Sequence, residues 1–276
     1  MARIAFILLC HKDPKGVIAQ ARRLTASGDY VAIHFDARAN PKDFEAIRRG
    51  VADNPGVVFA ARRWKCGWGE WSLVAATLEA VRAAVAATVD AFGGIDILVN
   101  NASAIWLRGT LDTPMKRFDL MQQVNARGSF LCAQACLPHL LEAPNPHILT
   151  LAPPPSLDPK WWGPHTGYTL AKMGMSFVTL GLAAEFGPRG VAVNALWPRT
   201  IIATDALNMI PGVDTAGART PAIMADAAHA VLTRPAAGFS GRFLIDEDVL
   251  REAGVEDFDA YAVDPSRPLY PDLFLD

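Results

Sequence analysis

Tyr168 and Lys172 stand four residues apart in the stretch GPHTGYTLAK, at the start of an apolar helical run. On a helix this spacing puts a phenol and an ammonium on one face. A cation held a few ångströms from a tyrosine hydroxyl favours the phenolate, so the phenol's pKa falls from about 10 toward the working pH, where it gives or takes a proton. The pair is a candidate acid/base device. The same residues also suit a helix start with a surface tyrosine and an unrelated lysine, so the chemistry depends on what else the chain supplies.

Several polar residues keep the pair company. Asn125 lies mid-helix in LMQQVNARGSF, where asparagine is a poor helix former; a specific hydrogen-bonding task, a kink or a satisfied packing position would each explain it. Asn100, Asn101, Ala102 and Ser103 follow an apolar strand, at the carboxyl edge where ligands of open α/β sheets bind. An Asn pair there could tie neighbouring strands and flank an adenine-ribose, or form an ordinary Asx turn. Asn194 and Pro198 follow in NALWPRT. Near the amino terminus, Asp36 comes twenty residues after Gly16 and closes a strand. It reads equally as an acceptor for a ribose hydroxyl, favouring NAD over NADP, or as a turn residue, and Arg38 beside it would suit a 2′-phosphate. Trp161 and Trp162 would line a substrate pocket or fill core.

The elements that must position these groups alternate in period. Ile4 to Cys10 is a continuous apolar run, as in strands buried on both faces. A helix is expected from Val17 to about Ala26, a strand over Tyr30 to Phe35, a helix over Asp43 to Val51, a strand over Val57 to Ala60 and an alanine-rich helix over Ser72 to Phe92. Strands at Ile95 to Val99, His147 to Leu151, Val191 to Leu196 and Arg242 to Asp246 follow, between helices at Pro114 to Leu141 and Tyr168 to Phe186 and an irregular helical region at Ile201 to Leu232. The order predicts an α/β class, a doubly wound parallel sheet of Rossmann-like type in a single domain over 1–276. From Asp246 the acidic tail, with prolines at 265, 268 and 271, is expected to wrap the surface in extended form.

Composition narrows the partners. The chain has 276 residues, 51% hydrophobic and 20% charged, a globular balance long enough to bury a sizeable core. A net charge of -2 without a basic run gives no electrostatic footprint for nucleic acid or anionic membrane, so a small molecule is the expected partner. Cys10, Cys66, Cys132 and Cys136 contain no CxxC pair and read as free thiols in a reducing, cytoplasmic setting; no metal site is expected. The amino-terminal apolar run is too short to cross a membrane and lacks a cleavage pattern.

Taken in order, DILVNNAS from Asp96 to Ser103, Asn125, Tyr168 with Lys172, and Asn194 with Pro198 resemble the motifs of the short-chain dehydrogenase/reductase family from about Val81 onward. LAPPPSLDPKWW, NALWPRT, GRFLIDEDVL and YPDLFLD are similar to its hydroxysteroid-dehydrogenase-like subgroup. The resemblance implies an NAD(P)-dependent oxidoreductase acting on a carbonyl or secondary alcohol of an apolar substrate, often as a homo-oligomer packed through the Tyr168 helix. Tyr168 would serve the substrate oxygen, Lys172 would bind the nicotinamide ribose and lower the Tyr168 pKa, Asn125 would hold a relay water, and Ile201 would offer its backbone to the carboxamide. Gly16, Asp36, Asn100, Asn101, Ala102, Lys172, Pro198 and Ile201 are the implied cofactor contacts. The family's serine, thirteen residues before the tyrosine, is Pro155 here, which cannot donate a hydrogen bond; Ser156 or Thr166 could substitute. The glycine expected after Pro198 is Arg199.

The first half departs further. The family's Gly-rich turn, which lets backbone N–H groups approach a pyrophosphate, is replaced by Cys10-His-Lys-Asp-Pro-Lys-Gly16. Asp13 would aim negative charge at a diphosphate, while Lys12 and Lys15 could offset it. IAFILLCHKDP, YVAIHFDARA and the cluster of Trp64, Trp68 and Trp71 in WKCGWGEWS resemble the start of the branching β-1,6-N-acetylglucosaminyltransferases over residues 1–85. The chain thus reads as a hybrid, glycosyltransferase-like over 1–85 and dehydrogenase-like over 86–276, with the changeover near Val81 to Phe92. Two alternatives to the oxidoreductase follow: glycosyl transfer using His34, Asp36 and Glu70, or a non-catalytic Rossmann-like protein.

Overall fold

In a computed structural model, the described residues are 5–10, 13–26, 28–65, 71–204, 207 and 212–275, with backbone alone for 5–7, 9 and 71–76. They divide into two compact units, Met1–Ile95 with Gln134–His139, and Asp96–Ala133 with Leu140–Asp276. Both are built from parallel strands and helices, the expected α/β class.

The first unit holds β1 (Ala5–Cys10), α1 (Pro14–Thr25), β2 (Tyr30–Phe35), α2 (Pro41–Gly50), β3 (Val57–Phe59) and α3 (Trp71–Phe92). Its strands pair in the order β1-β2-β3, all parallel, with Leu8 opposite Ile33 and Ile33 opposite Phe59. Val31, Ile33 and Phe35 are buried and pack with Val17, Ala21, Ile47 and Val51 from the helices. Each aliphatic side chain so buried stabilises the fold by about 1.5–3 kcal/mol.

The second unit carries β4 (Ile97–Asn100), α4 (Met115–Gln122), the part of α5 (Gly128–Leu140) outside Gln134–His139, β5 (His147–Thr150), α6 (Pro159–Trp162), α7 (Thr166–Phe186), β6 (Ala192–Trp197), α8 (Ala222–Leu232), β7 (Phe243–Ile245) and α9 (Asp246–Glu252). Its parallel sheet runs β4-β5-β6-β7. Every residue of β6 is buried, and Asn194 within it is satisfied by donating to Phe239 O (2.8 Å) and accepting from Arg242 N (2.9 Å). So Asn194 fixes the approach to β7. Among the described residues the strands pair in parallel as β1-β2-β3 and as β4-β5-β6-β7, in keeping with the expected Rossmann-like α/β class.

Two departures have clear causes. The single helix expected from Pro114 to Leu141 is interrupted by a π turn at Gln123–Arg127, centred on Asn125. Gly174 of α7 passes so near this turn that a Cβ on it would stand 2.7 Å from Ala126 Cβ. The tail is not a surface wrap: it begins with α9, and its last residues turn inward.

Candidate active site

Tyr168 sits in the first turn of α7 with 5% of its surface exposed, and Lys172 one turn on with 4%. The expected helix face therefore exists and is buried. Around the phenol, Phe274 stacks at 6.2 Å between ring centroids and His165 meets it edge-on at 6.2 Å. Phe274 also touches the rings of Trp161 (5.7 Å) and Trp197 (6.0 Å). Aromatic pairs of this kind add about 0.5–1.5 kcal/mol each beyond their burial. They hold Phe274 at a φ of 72°, a left-handed backbone that costs an aromatic residue about 1–3 kcal/mol.

The electrostatics correct the expectation for the pair. Lys172 Nζ donates to Leu151 O (2.9 Å) and lies 4.8 Å from the centre of the Trp197 ring. The phenol's pKa is raised, not lowered: burial disfavours the phenolate, and the nearby Asp272 carboxylate disfavours it further. Tyr168 is thus a neutral O–H donor at physiological pH. Burial brings Lys172 down to about 8, with Asp272 opposing, and it lifts Asp272 to about 6, with Lys172 opposing.

Asp272 is the residue sequence reasoning missed. It reaches the site because Tyr270 N donates to Gly217 O (2.9 Å), Ile201 N to Tyr270 O (3.1 Å) and Asp272 N to Arg199 O (3.1 Å). Trp197 Nε1 then donates to Leu273 O (2.8 Å). A Cβ on Gly217 would strike the Tyr270 ring at 2.5 Å, so glycine is what lets the segment lie down there. The signal available in the sequence was Leu273-Phe274-Leu275, apolar residues out of place in a solvated tail.

Together these groups wall a cavity of about 530 Å³, within the range of small-molecule sites. Ile105, Leu107, Trp197, Ile202, Leu207 and Val213 make its apolar wall, and Tyr168, Pro198, Ile201 and Asp272 also line it.

Other sequence candidates have different duties. Asn125, fully buried, accepts from Ala104 N (2.7 Å) and donates to Ala104 O (3.2 Å), so its amide pins the segment leading to Ile105. Its carbonyl accepts from Ser129 Oγ (2.8 Å). Asn100 donates to Thr150 Oγ1 (3.4 Å), tying β4 to β5, while Asn101 and Ala102 are exposed beyond the strand. Ser156 Oγ accepts from Asp158 N (3.2 Å) in a local turn and is not among the cavity's lining residues. Thr166 Oγ1 donates to Trp162 O (2.9 Å). Ile201's N–H, expected to meet a carboxamide, is given to Tyr270 O.

In the first unit, α1 begins with Asp13 as its cap, at a φ of 56°, and the carboxylate accepts from Gly16 N (3.1 Å). Pro14 has no N–H, and Val17 N donates to Asp13 O (3.0 Å). Among the described residues of the turn, the Gly16 and Val17 N–H groups are engaged, and a carboxylate about 4 Å from a phosphate charge costs about 4 kcal/mol at an effective dielectric of 20. The described residues of this turn, Asp13 above all, disfavour a diphosphate there. Asp36 Oδ1 accepts from Arg38 N (2.7 Å). His34 is buried and its Nε2 accepts from Trp64 N (3.0 Å), a structural link. Burial lowers its pKa and keeps it neutral. Cys66, Trp68, Glu70, His11 and Lys12, and the Trp71 side chain, fall outside the described residues.

A family model described as Enoyl-(Acyl carrier protein) reductase matches residues 74–234. Hydroxysteroid dehydrogenase-like protein 2 of Danio rerio is 56% identical over 195 residues, 70% of this chain and 46% of that protein. The Homo sapiens protein of the same name is 50% identical over 200 residues, 72% and 47% respectively. The chain thus spans about half the length of these curated relatives. A putative dehydrogenase from Xanthomonas campestris, known by its crystal structure, is 64% identical with a TM-score of 0.74, covering 99% of this chain and 98% of its own. A short chain dehydrogenase from Mycobacterium thermoresistibile is 38% identical with a TM-score of 0.69, covering 99% and 95%.

Proposed function

The chain belongs to the short-chain dehydrogenase/reductase family, and from that premise we propose that it is an oxidoreductase acting on a carbonyl or secondary alcohol held in the cavity beside Tyr168. The observation that carries the proposal is a neutral, buried phenol opening on an apolar cavity of about 530 Å³. A protonated Tyr168 suits the reducing direction, in which its proton would pass to the substrate's carbonyl oxygen while a reduced nicotinamide would supply the hydride to the carbonyl carbon. Lys172, one helical turn beyond Tyr168 on α7 and tethered to Leu151 O, would supply the positive charge that compensates the phenolate left after transfer. Asn125 shapes the site through Ala104. Ser156, spent on its own turn, is a minor contributor.

The family implies a nicotinamide dinucleotide, NAD or NADP, as redox partner. The described residues of the α1 turn, with Asp13 as the cap, disfavour its diphosphate. Supporting a reducing, cytoplasmic location, Cys10, Cys132 and Cys136 are free thiols, and burial lifts Cys10 and Cys132 to about 11. Among the described residues no helix is long and apolar enough to cross a membrane. A homo-oligomer packed through α7 is supported by Leu170, Phe177 and Leu180, between 41% and 49% exposed at helical spacing on that helix.

Fluorescence quenching of the protein's seven tryptophans by NADH, NADPH and a uridine nucleotide tests the proposal. Quenching by a reduced nicotinamide dinucleotide and none by the uridine nucleotide is expected. Quenching by the uridine nucleotide alone would overturn it in favour of glycosyl transfer.

A further inference from the structure

The cavity is apolar on most sides, yet a carboxylate faces it. Asp272 is fixed there by backbone bonds on both sides, its own N–H to Arg199 O and the Leu273 carbonyl to Trp197 Nε1. One carboxylate oxygen accepts from Leu273 N (2.6 Å). Among the described residues the other oxygen has neither a hydrogen-bond donor nor a cation at ion-pair distance, because the Lys172 ammonium is directed to Leu151 O. Structural needs of the tail do not require a charge at this position, since backbone groups and Phe274 do the anchoring. A carboxylate only accepts hydrogen bonds, and it repels a second anion in an enclosed site where screening is weak.

We propose that Asp272 sets the substrate class of the cavity: its free oxygen takes a hydroxyl on a neutral hydroxy-carbonyl substrate and excludes substrates that carry an anionic group. This rests on the oxidoreductase reading of the same site. Asp272 acts on the substrate's second polar group and Tyr168 on its carbonyl, so the two define an orientation as well as a preference. The groups that face Asp272 are Tyr168 and Lys172 from α7 and Asp246 from the start of α9, while Arg199 is engaged by Asp248 and Glu247. With Asp272 at about 6, exclusion of anions holds at neutral pH and relaxes in mild acid.

The test is titration by tryptophan fluorescence at pH 8 with octan-2-one, 8-hydroxyoctan-2-one and 7-oxooctane-1-sulfonate, an anion at every pH used. The hydroxyketone should bind at least tenfold tighter than the sulfonate, about 1.4 kcal/mol. In Asp272→Asn, which keeps an acceptor for Leu273 N, the gap should shrink to about threefold or less. It should also narrow for the unmodified protein at pH 5. If octan-2-one binds but the sulfonate binds as tightly as the hydroxyketone, or the gap survives in Asp272→Asn, the role of Asp272 is overturned while the oxidoreductase reading stands. Failure of all three ketones to bind overturns both.

Discussion

Replacing Lys172 by methionine separates the chemical value of the ammonium from its cost to the fold. With 4% of Lys172 exposed, the fall of its pKa from 10.5 to about 8 means that the folded state destabilises the charged form by about 3 kcal/mol relative to the unfolded chain. At pH 7 the lysine is protonated in both states, so that penalty is fully present. Between about pH 8 and 10.5 the unfolded chain binds more protons than the folded one, and stability must rise with pH. Against this, the bond to Leu151 O and the contact with Trp197 contribute about 1–3 kcal/mol together. Methionine fills the same space without a charge. Urea unfolding of Lys172→Met at pH 7 should show stability equal to or up to about 2 kcal/mol above the parent. The parent should gain on the variant by about 3 kcal/mol as the pH is raised to 10.5. A variant several kcal/mol weaker at pH 7, with a difference that does not change with pH, would refute the buried-ammonium account. Turnover should be lost in either case.

Three other outcomes follow from particular contacts. Asp13→Gly frees Gly16 N, suits the left-handed backbone at φ 56° and removes the charge, so NADH affinity measured by fluorescence should rise at least tenfold, about 1.4 kcal/mol; unchanged affinity would show that the α1 cap is irrelevant. Gly174→Val drives a side chain into Ala126 at the π turn and should cost about 1–3 kcal/mol in urea unfolding, with loss of activity through the displaced Asn125. Phe177→Glu, on the exposed stripe of α7, should shift the protein to a monomer in sedimentation velocity while leaving the far-ultraviolet circular dichroism unchanged. A sedimentation profile unaltered by that change would remove α7 as the contact face.

What the sequence showed depended on how local the cause was. The strands of β2 and β6 were legible because continuous apolar runs have few other uses, and Tyr168 and Lys172 because helical spacing alone puts them on one face. The start of α1 was set three residues late, at Val17, although Asp13-Pro14 is the signature of a cap followed by a first-turn proline. The sign of the Tyr168 shift was not legible, because it depends on burial and on Asp272, which lies 104 positions away in the chain. Prolines at 265, 268 and 271 suggested an extended surface tail and masked Phe274, whose fit among Trp161, Trp197 and Tyr168 is a tertiary property.

Tyr168 is the proton donor in the proposed reduction. Reduction of octan-2-one to its secondary alcohol, followed by product analysis in the presence of NADH or NADPH, tests it in the parent protein and in Tyr168→Phe. The phenylalanine ring preserves the stacking on Phe274 and removes only the hydroxyl, so the fold should persist while turnover falls by at least about 100-fold. Equal rates in the two proteins would contradict the account.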